Sequence, residues 1–129
     1  MNIPGNLKYT ESNEWINLEG KTCTIGISDY AQDQLSDIVF AEVIVNEGDV
    51  IKKGDTIATV ESVKAAADVY TPVSGKVVSV NEGLGAKPEV INSEPYGAAW
   101  IIKLKLNNPS ETSALMDASA YEKFIQEQK

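Results

Sequence analysis

The sequence predicts a mainly β fold: a flattened barrel or sandwich of short strands, with one short internal helix and a helical C-terminal tail. Three observations carry this. Short runs of alternating or β-branched residues recur along the chain and are separated by glycine-containing turns. The segment V-N-E-G occurs twice, at Val45 and Val80, and each copy leads into a turn and further β-branched residues. Helix-capping patterns gather in only two places, near Asp29 and from Asn108 onward.

Taken in order, "NEWINLEG" and "KTCTIGI" read as two strands joined at Glu19-Gly20. In the second strand Cys23, Ile25 and Ile27 share one face, which makes Cys23 a small core residue. "SDYAQDQLSD" breaks the period of two. Asp29 with Gln32 resembles a capping box, and Ala31 and Leu35 lie one turn apart, so a short helix is expected. "DIVFAEVIV" and "TIATVES" are strand-like, with Gly48-Asp49 and Gly54-Asp55 as turns between them. "KVVSVN" follows Gly75, "EGLGAKPEVINSEPYGA" reads as a long polar loop, and "AWIIKLKL" as a strand. In the tail, Asn108-Pro109 places proline at a first helical position, and Ser119 with Glu122 forms a second capping box. The two V-N-E-G copies are 35 residues apart, and their midpoint falls almost at Lys64. That suggests two similar units flanking a central hairpin.

Length and composition narrow the function. At 129 residues the chain fits a single domain, residues 1–129, with hairpin units over about 37–106 and a helical tail over about 109–129. There is no apolar run long enough to span a membrane and no secretory or Arg-rich transit pattern. With Met1 at its start, a cytoplasmic chain is expected, and a processed mitochondrial form stays open. Histidine and arginine are absent and Cys23 is the only cysteine. The usual general base near neutral pH, a His/Cys zinc site and bidentate phosphate clamps are therefore missing, so an independent enzyme is disfavoured. The net charge of −8 disfavours nucleic acid and suits partners that present basic patches. A monomer is expected.

The segment "VESVKAAADVYTPVSG" is unusual. Lys64 stands between Val63 and three alanines, with extended sequence on both sides. A two-strand tip normally carries Asn, Gly or Asp. Small neighbours leave the amine accessible, which suits a site that another enzyme must grasp and modify, and an amide on the ε-nitrogen would also remove its charge.

"ESVKAAADVYTPVSG" closely resembles the lipoyl-attachment segment of the glycine cleavage system H-protein family. "LKYTESNEW", "IGISDYAQ", "INSEPYGAAW" and "LMDASAYEKF" resemble four further stretches of the same family. One departure is Asn13, where the family usually has His before the Glu-Trp pair. The resemblance implies the barrel-sandwich hybrid of lipoyl and biotinyl carriers, with pseudo-two-fold symmetry, and a carrier rather than a catalyst. It implies lipoic acid in amide linkage to Lys64, with Gly48, Glu61 and Gly75 as recognition elements for a lipoate ligase or a lipoyl/octanoyl transferase. It also implies a cleft beside the hairpin, lined by Ser12, Glu14 and Asp68, that shelters an aminomethyl cargo. Ser12 and Glu14 would alternate on one strand and face the same side. The partners implied are a glycine decarboxylase, a tetrahydrofolate-dependent aminomethyltransferase and dihydrolipoyl dehydrogenase.

Three rivals are weighed against this. A biotin carrier usually has Met on both sides of its lysine, unlike Val63 and Ala65. A lipoyl domain of a 2-oxoacid dehydrogenase usually has Asp before the lysine and flexible linkers. An H-like protein that only relays lipoate to 2-oxoacid dehydrogenases stays open as the alternative.

Overall fold

The computed structural model describes residues 2–127. Met1 and the last two residues of the predicted tail, 128–129, lie outside them. Among the described residues, nine strands form two antiparallel sheets. The larger holds β1 (Lys8–Tyr9), β2 (Glu14–Glu19), β3 (Thr22–Ile27), β5 (Val50–Ile51), β8 (Gly75–Val80) and β9 (Ile102–Leu106), in the order β1-β2-β3-β9-β8-β5. The smaller holds β4 (Ile38–Val43), β6 (Thr56–Ser62) and β7 (Ala66–Tyr70), in the order β4-β6-β7. The sheets pack as an unclosed, flattened barrel-sandwich, as the sequence predicts.

The alternation read from sequence is what builds the core. In β9, Ile102, Leu104 and Leu106 are buried while Lys103 and Lys105 are exposed. Ile16 and Ile25 from the larger sheet join Ile57, Val60 and Val69 from the smaller in one cluster, with Cys23 among them. A second cluster gathers Tyr9, Trp15, Tyr30, Tyr121 and Ile125. There Tyr9 and Tyr121 stack with ring centroids 4.6 Å apart, which fastens the C-terminal helix α3 (Ala118–Glu127) to the N-terminal strand.

Several local expectations are corrected. The helix α1 (Asp29–Leu35) is capped by Ser28, whose Oγ accepts from Ala31 N. Asp29 sits instead in the first turn, where a carboxylate complements the positive helix end. Helix α3 begins before Ser119, with Asp117 Oδ1 accepting from Ala120 N. Asn108-Pro109 does open a helix with Pro109 at its start, as expected, and that helix is a tight 3-10 helix over Pro109–Ala114. The long polar loop contains a 3-10 turn, Glu82–Leu84, and a one-turn helix α2 (Val90–Ser93). Its few apolar residues decide this, because Leu84 and Ile91 are buried in the main core. The V-N-E-G echo is followed by the backbone only in part. Gly48 takes a φ of +94° ahead of β5, whereas Asn81 Oδ1 accepts from Gly83 N and starts the 3-10 turn.

Burial has a consequence at high pH. It pushes the Cys23 thiol from 9.0 up to about 12, and Tyr96 from 10.0 up to about 12, and it raises Tyr9 and Tyr121 further still. In each case the folded value lies above the unfolded one. The stabilisation is therefore complete below pH 9 and is lost as pH climbs towards 12. Thermal unfolding followed against pH should show a level midpoint up to about pH 9 and a steady fall above it. A midpoint that rises through this range would contradict the burial of these groups.

Candidate functional site

β6 and β7 form the hairpin that carries Lys64, with Glu61 opposite Ala66 at its closed end. Sequence reading left unexplained how this tip turns without Gly, Asn or Asp. Ser62 supplies the answer. Its Oγ accepts from Lys64 N at 3.2 Å and from Ala65 N at 3.0 Å, while Ser62 N donates to Ala65 O at 2.7 Å. The hydroxyl thus satisfies the turn amides as an Asx-type side chain would. Val63 N donates to Asp37 O, which ties the tip to the start of β4. Lys64 is exposed, and Val63 beside it is 66% exposed. The small side chains of Ala65 and Ala66, also exposed, leave its amine unobstructed.

The three expected cleft residues do meet. Ser12, Glu14 and Asp68 line one cleft of about 180 Å³ beside the hairpin, with Ala67 and Val60 in its wall. They do not meet in the way the sequence suggested. β2 begins at Glu14, and Ser12 belongs to the turn before it, so the two do not alternate on a strand. Asn13 breaks the extension with a φ of +72°, a left-handed conformation that Asn tolerates better than most residues. This turn folds Ser12 back, so that its Oγ donates to Glu14 Oε1 at 2.6 Å.

Glu14 is the distinctive group of the site. It is 2% exposed, yet it is a carboxylate. Oε1 accepts from the hydroxyls of Thr10 and Ser12, each at 2.6 Å, and Oε2 accepts weakly from Tyr70 N at 3.4 Å. A buried carboxylate with hydroxyl and amide donors on one side keeps acceptor capacity for a further donor. Asp68, by contrast, is exposed on β7 opposite Thr59. A larger hollow of about 650 Å³ shares Ser12 and Glu14 but opens between Lys53, Tyr70 and Leu115.

A family model described as Glycine cleavage H-protein matches residues 7–128. The chain belongs to the glycine cleavage H-protein family. A glycine cleavage system H protein from Symbiobacterium thermophilum is 48% identical over 126 residues, covering 98% of each chain. One from Psychrobacter cryohalolentis is 52% identical over 122 residues, covering 94% of this chain and 96% of its own. The crystal structure of a glycine cleavage system H protein from Mycobacterium marinum matches with a TM-score of 0.83 at 32% identity, over 92% of this chain and 95% of its own.

Within this H-protein fold the remaining motif residues turn out to be fasteners. Trp15 Nε1 donates to Pro95 O at 2.8 Å, and Tyr96 OH accepts from Asp29 N and donates to Asn2 O. Asn92 Oδ1 accepts from Ile38 N, and its Nδ2 donates to Gln32 Oε1 and Ser36 O, which pins the approach to β4. Asn13 accepts from Tyr121 OH at 2.9 Å, so the residue that departs from the usual His holds the C-terminal helix.

The three residues expected to guide lipoylation lie in different settings. Glu61 is exposed on β6, between Phe40 and Ala66. Gly48 serves the turn before β5, where its φ of +94° would strain any other residue. Gly75 is buried at the start of β8, and a Cβ there would stand 2.1 Å from Lys105 O. Sequence reasoning missed Ser62, Thr10 and the Tyr70 amide. Ser62 alone carried a readable signal, as a hydroxyl two residues before a turn residue.

Proposed function

We propose that this H protein is the lipoyl-bearing carrier of the glycine cleavage system rather than a catalyst, with lipoic acid held in amide linkage on Lys64 Nζ. The observation that carries the reading is the exposed lysine at a fixed hairpin tip, within reach of a cleft that holds a buried carboxylate. Attached there, the group would supply a dithiolane that accepts an aminomethyl group and electrons.

Reach supports the small cleft over the large hollow. Lysine stem and lipoyl chain comprise roughly ten single bonds, each advancing about 1.3 Å, so an arm extends on the order of 13 Å. A strand rises about 3.3 Å per residue, so Asp68, four residues on from Lys64 across the turn and into β7, lies at most about 13 Å away. Tyr70 and Pro72, which line the larger hollow, lie beyond that. An arm folded along β7 therefore ends at the cleft of Ser12, Glu14 and Asp68.

The chain's own residues then bind and shield a cationic cargo. Glu14, already fixed by Thr10 and Ser12, would accept from an ammonium, with Asp68 at the cleft's exposed edge. A carboxylate about 4 Å from an ammonium contributes on the order of 4 kcal/mol at an effective dielectric near 20. About 1–2 kcal/mol of that would survive desolvation. Ala67 and Val60 give the cleft an apolar wall on the hairpin side. Between visits to the glycine decarboxylase, the aminomethyltransferase and dihydrolipoyl dehydrogenase, the cargo would be held rather than hydrolysed.

Ammonia release from the loaded carrier, without the transferase, tests this. Glu14→Ala should release ammonia about tenfold faster than the parent, matching a loss of about 1.4 kcal/mol. Glu14→Gln should fall between them, because its amide oxygen still accepts from Thr10 and Ser12 but carries no charge. Equal rates in all three proteins would remove Glu14 from the sheltering role.

A further inference from the structure

We propose that Tyr121 is a positioning residue for the cargo cleft: its hydroxyl, reaching from the C-terminal helix, holds Asn13 in the left-handed conformation that turns Ser12 onto Glu14. The proposal rests on the sheltering role given above to that cleft.

The turn before β2 is closed at its base. Thr10 N donates to Glu14 O at 3.0 Å, Asn13 N donates to Thr10 O at 3.1 Å, and Glu14 N donates to Thr10 Oγ1 at 3.0 Å. Within it Asn13 takes a φ of +72°, a conformation that asparagine visits but does not prefer. Such a residue persists where its surroundings hold it there. Two groups outside the turn do so. Ser28 N donates to Asn13 O at 2.9 Å, and the Tyr121 hydroxyl donates to Asn13 Oδ1 at 2.9 Å.

Counting protons fixes the direction of this network. A tyrosine hydroxyl has one proton, and here it goes to Asn13 Oδ1. The 2.6 Å contact between Ser28 Oγ and the Tyr121 oxygen is therefore donated by Ser28, whose Oγ also accepts from Ala31 N as the cap of α1. Ser28 and Tyr121 are both buried, so water does not compete for these bonds. Helix α3 does not need the Tyr121 hydroxyl for its own attachment. The Tyr121 ring stacks on Tyr9, Ile125 is buried beside them, and Tyr9 and Met116 exchange backbone hydrogen bonds just ahead of the helix. Ring and backbone fasten α3, and the hydroxyl is left to hold Asn13.

The cleft feels what happens at Asn13. Ser12, Asn13 and Glu14 line it side by side. Ser12 is exposed, and besides Glu14 Oε1 its hydroxyl has only a long contact of 3.4 Å with Thr10 Oγ1. The turn, not burial, keeps Ser12 against the carboxylate. Were Asn13 to relax towards extended backbone, Ser12 would be carried away and Glu14 Oε1 would keep Thr10 as its one hydroxyl donor. A carboxylate with fewer tethers turns more freely and holds an ammonium less well.

Tyr121→Phe tests this, because it keeps the stacked ring and removes the hydroxyl alone. Two readouts are taken on the full chain, well below the thermal midpoint. In the unlipoylated protein, the backbone chemical shifts of Asn13 should move from left-handed towards extended values, while those of Leu104 in β9 stay in place. In the aminomethyl-loaded protein, ammonia should be released about threefold faster than from the parent, the size of one neutral hydrogen bond. That is less than the effect expected of Glu14→Ala, since Thr10 still holds the carboxylate. In an Asn13→Gly background there is no side chain to hold, and Tyr121→Phe should then change release by less than about 1.5-fold. Parental release with unmoved Asn13 shifts would overturn the proposal and leave the hydroxyl a fastener of the helix. An equal effect in both backgrounds would overturn the route through Asn13. Glu14→Ala at the parental rate would sink the sheltering reading itself, even where the Asn13 shifts move.

Discussion

Lys64→Arg is expected to accept no lipoyl group from a lipoate ligase, while the parent protein accepts one. The tip geometry makes this an all-or-none result. The turn is closed by Ser62 through backbone amides, so the side chain at position 64 has no part in folding. An exposed substitution of this kind changes stability by at most about 0.5 kcal/mol. A guanidinium stays protonated and does not form the amide. Ten other lysines remain in the variant, so peptide mapping after incubation reads selectivity as well as loss. Modification that persists in Lys64→Arg would place the site elsewhere.

Gly75→Ala should be the most damaging small substitution. The added Cβ would lie 2.1 Å from Lys105 O and 2.9 Å from its carbonyl carbon. Both atoms are backbone of the neighbouring strand, in a stretch where Gly75 pairs with Leu106 and with Ile51. No side chain can move aside, so the strands must separate. Overpacking costs about 1–3 kcal/mol in ordinary cores, and a backbone collision belongs at the upper end. A loss of about 3 kcal/mol lowers the thermal midpoint of a chain this size by roughly 10 °C. Lipoylation measured well below that midpoint should proceed near the parental rate, because buried Gly75 offers an enzyme no side chain to touch. Its part in recognition is then to hold the sheet. Exposed Glu61 can meet the enzyme directly, so slow acylation of a folded Glu61→Ala is the contrasting expectation.

Much of this fold was legible because its strands are short and cleanly patterned. β2, β3, β6 and β9 follow the alternation or β-branched runs that marked them, and the lysine hairpin falls where extended sequence on both sides required it. What stayed hidden depended on single residues acting across distance. Leu84 and Ile91 turn a polar loop into packed structure, which composition averaged over the segment conceals. Caps moved by one or two residues because Ser28 and Asp117 take the amides of Ala31 and Ala120 and so start their helices ahead of the expected Asp29 and Ser119. At the cleft, the residues named from resemblance do converge, but by a left-handed Asn13 and a reversal of the chain. A period of two could not show that. The hydroxyl of Thr10 beside Glu14 left no trace in the sequence, since Thr is as common on strands as at binding sites.

Exchange between glycine and labelled bicarbonate, reconstituted with a glycine decarboxylase, tests the carrier role most directly. The lipoylated protein should support exchange in proportion to its lipoyl content. Unlipoylated protein and Lys64→Arg should give only the decarboxylase background. Lipoylated protein that supports no exchange, yet passes its lipoyl group to a 2-oxoacid dehydrogenase, would contradict the account and make the chain a lipoate relay.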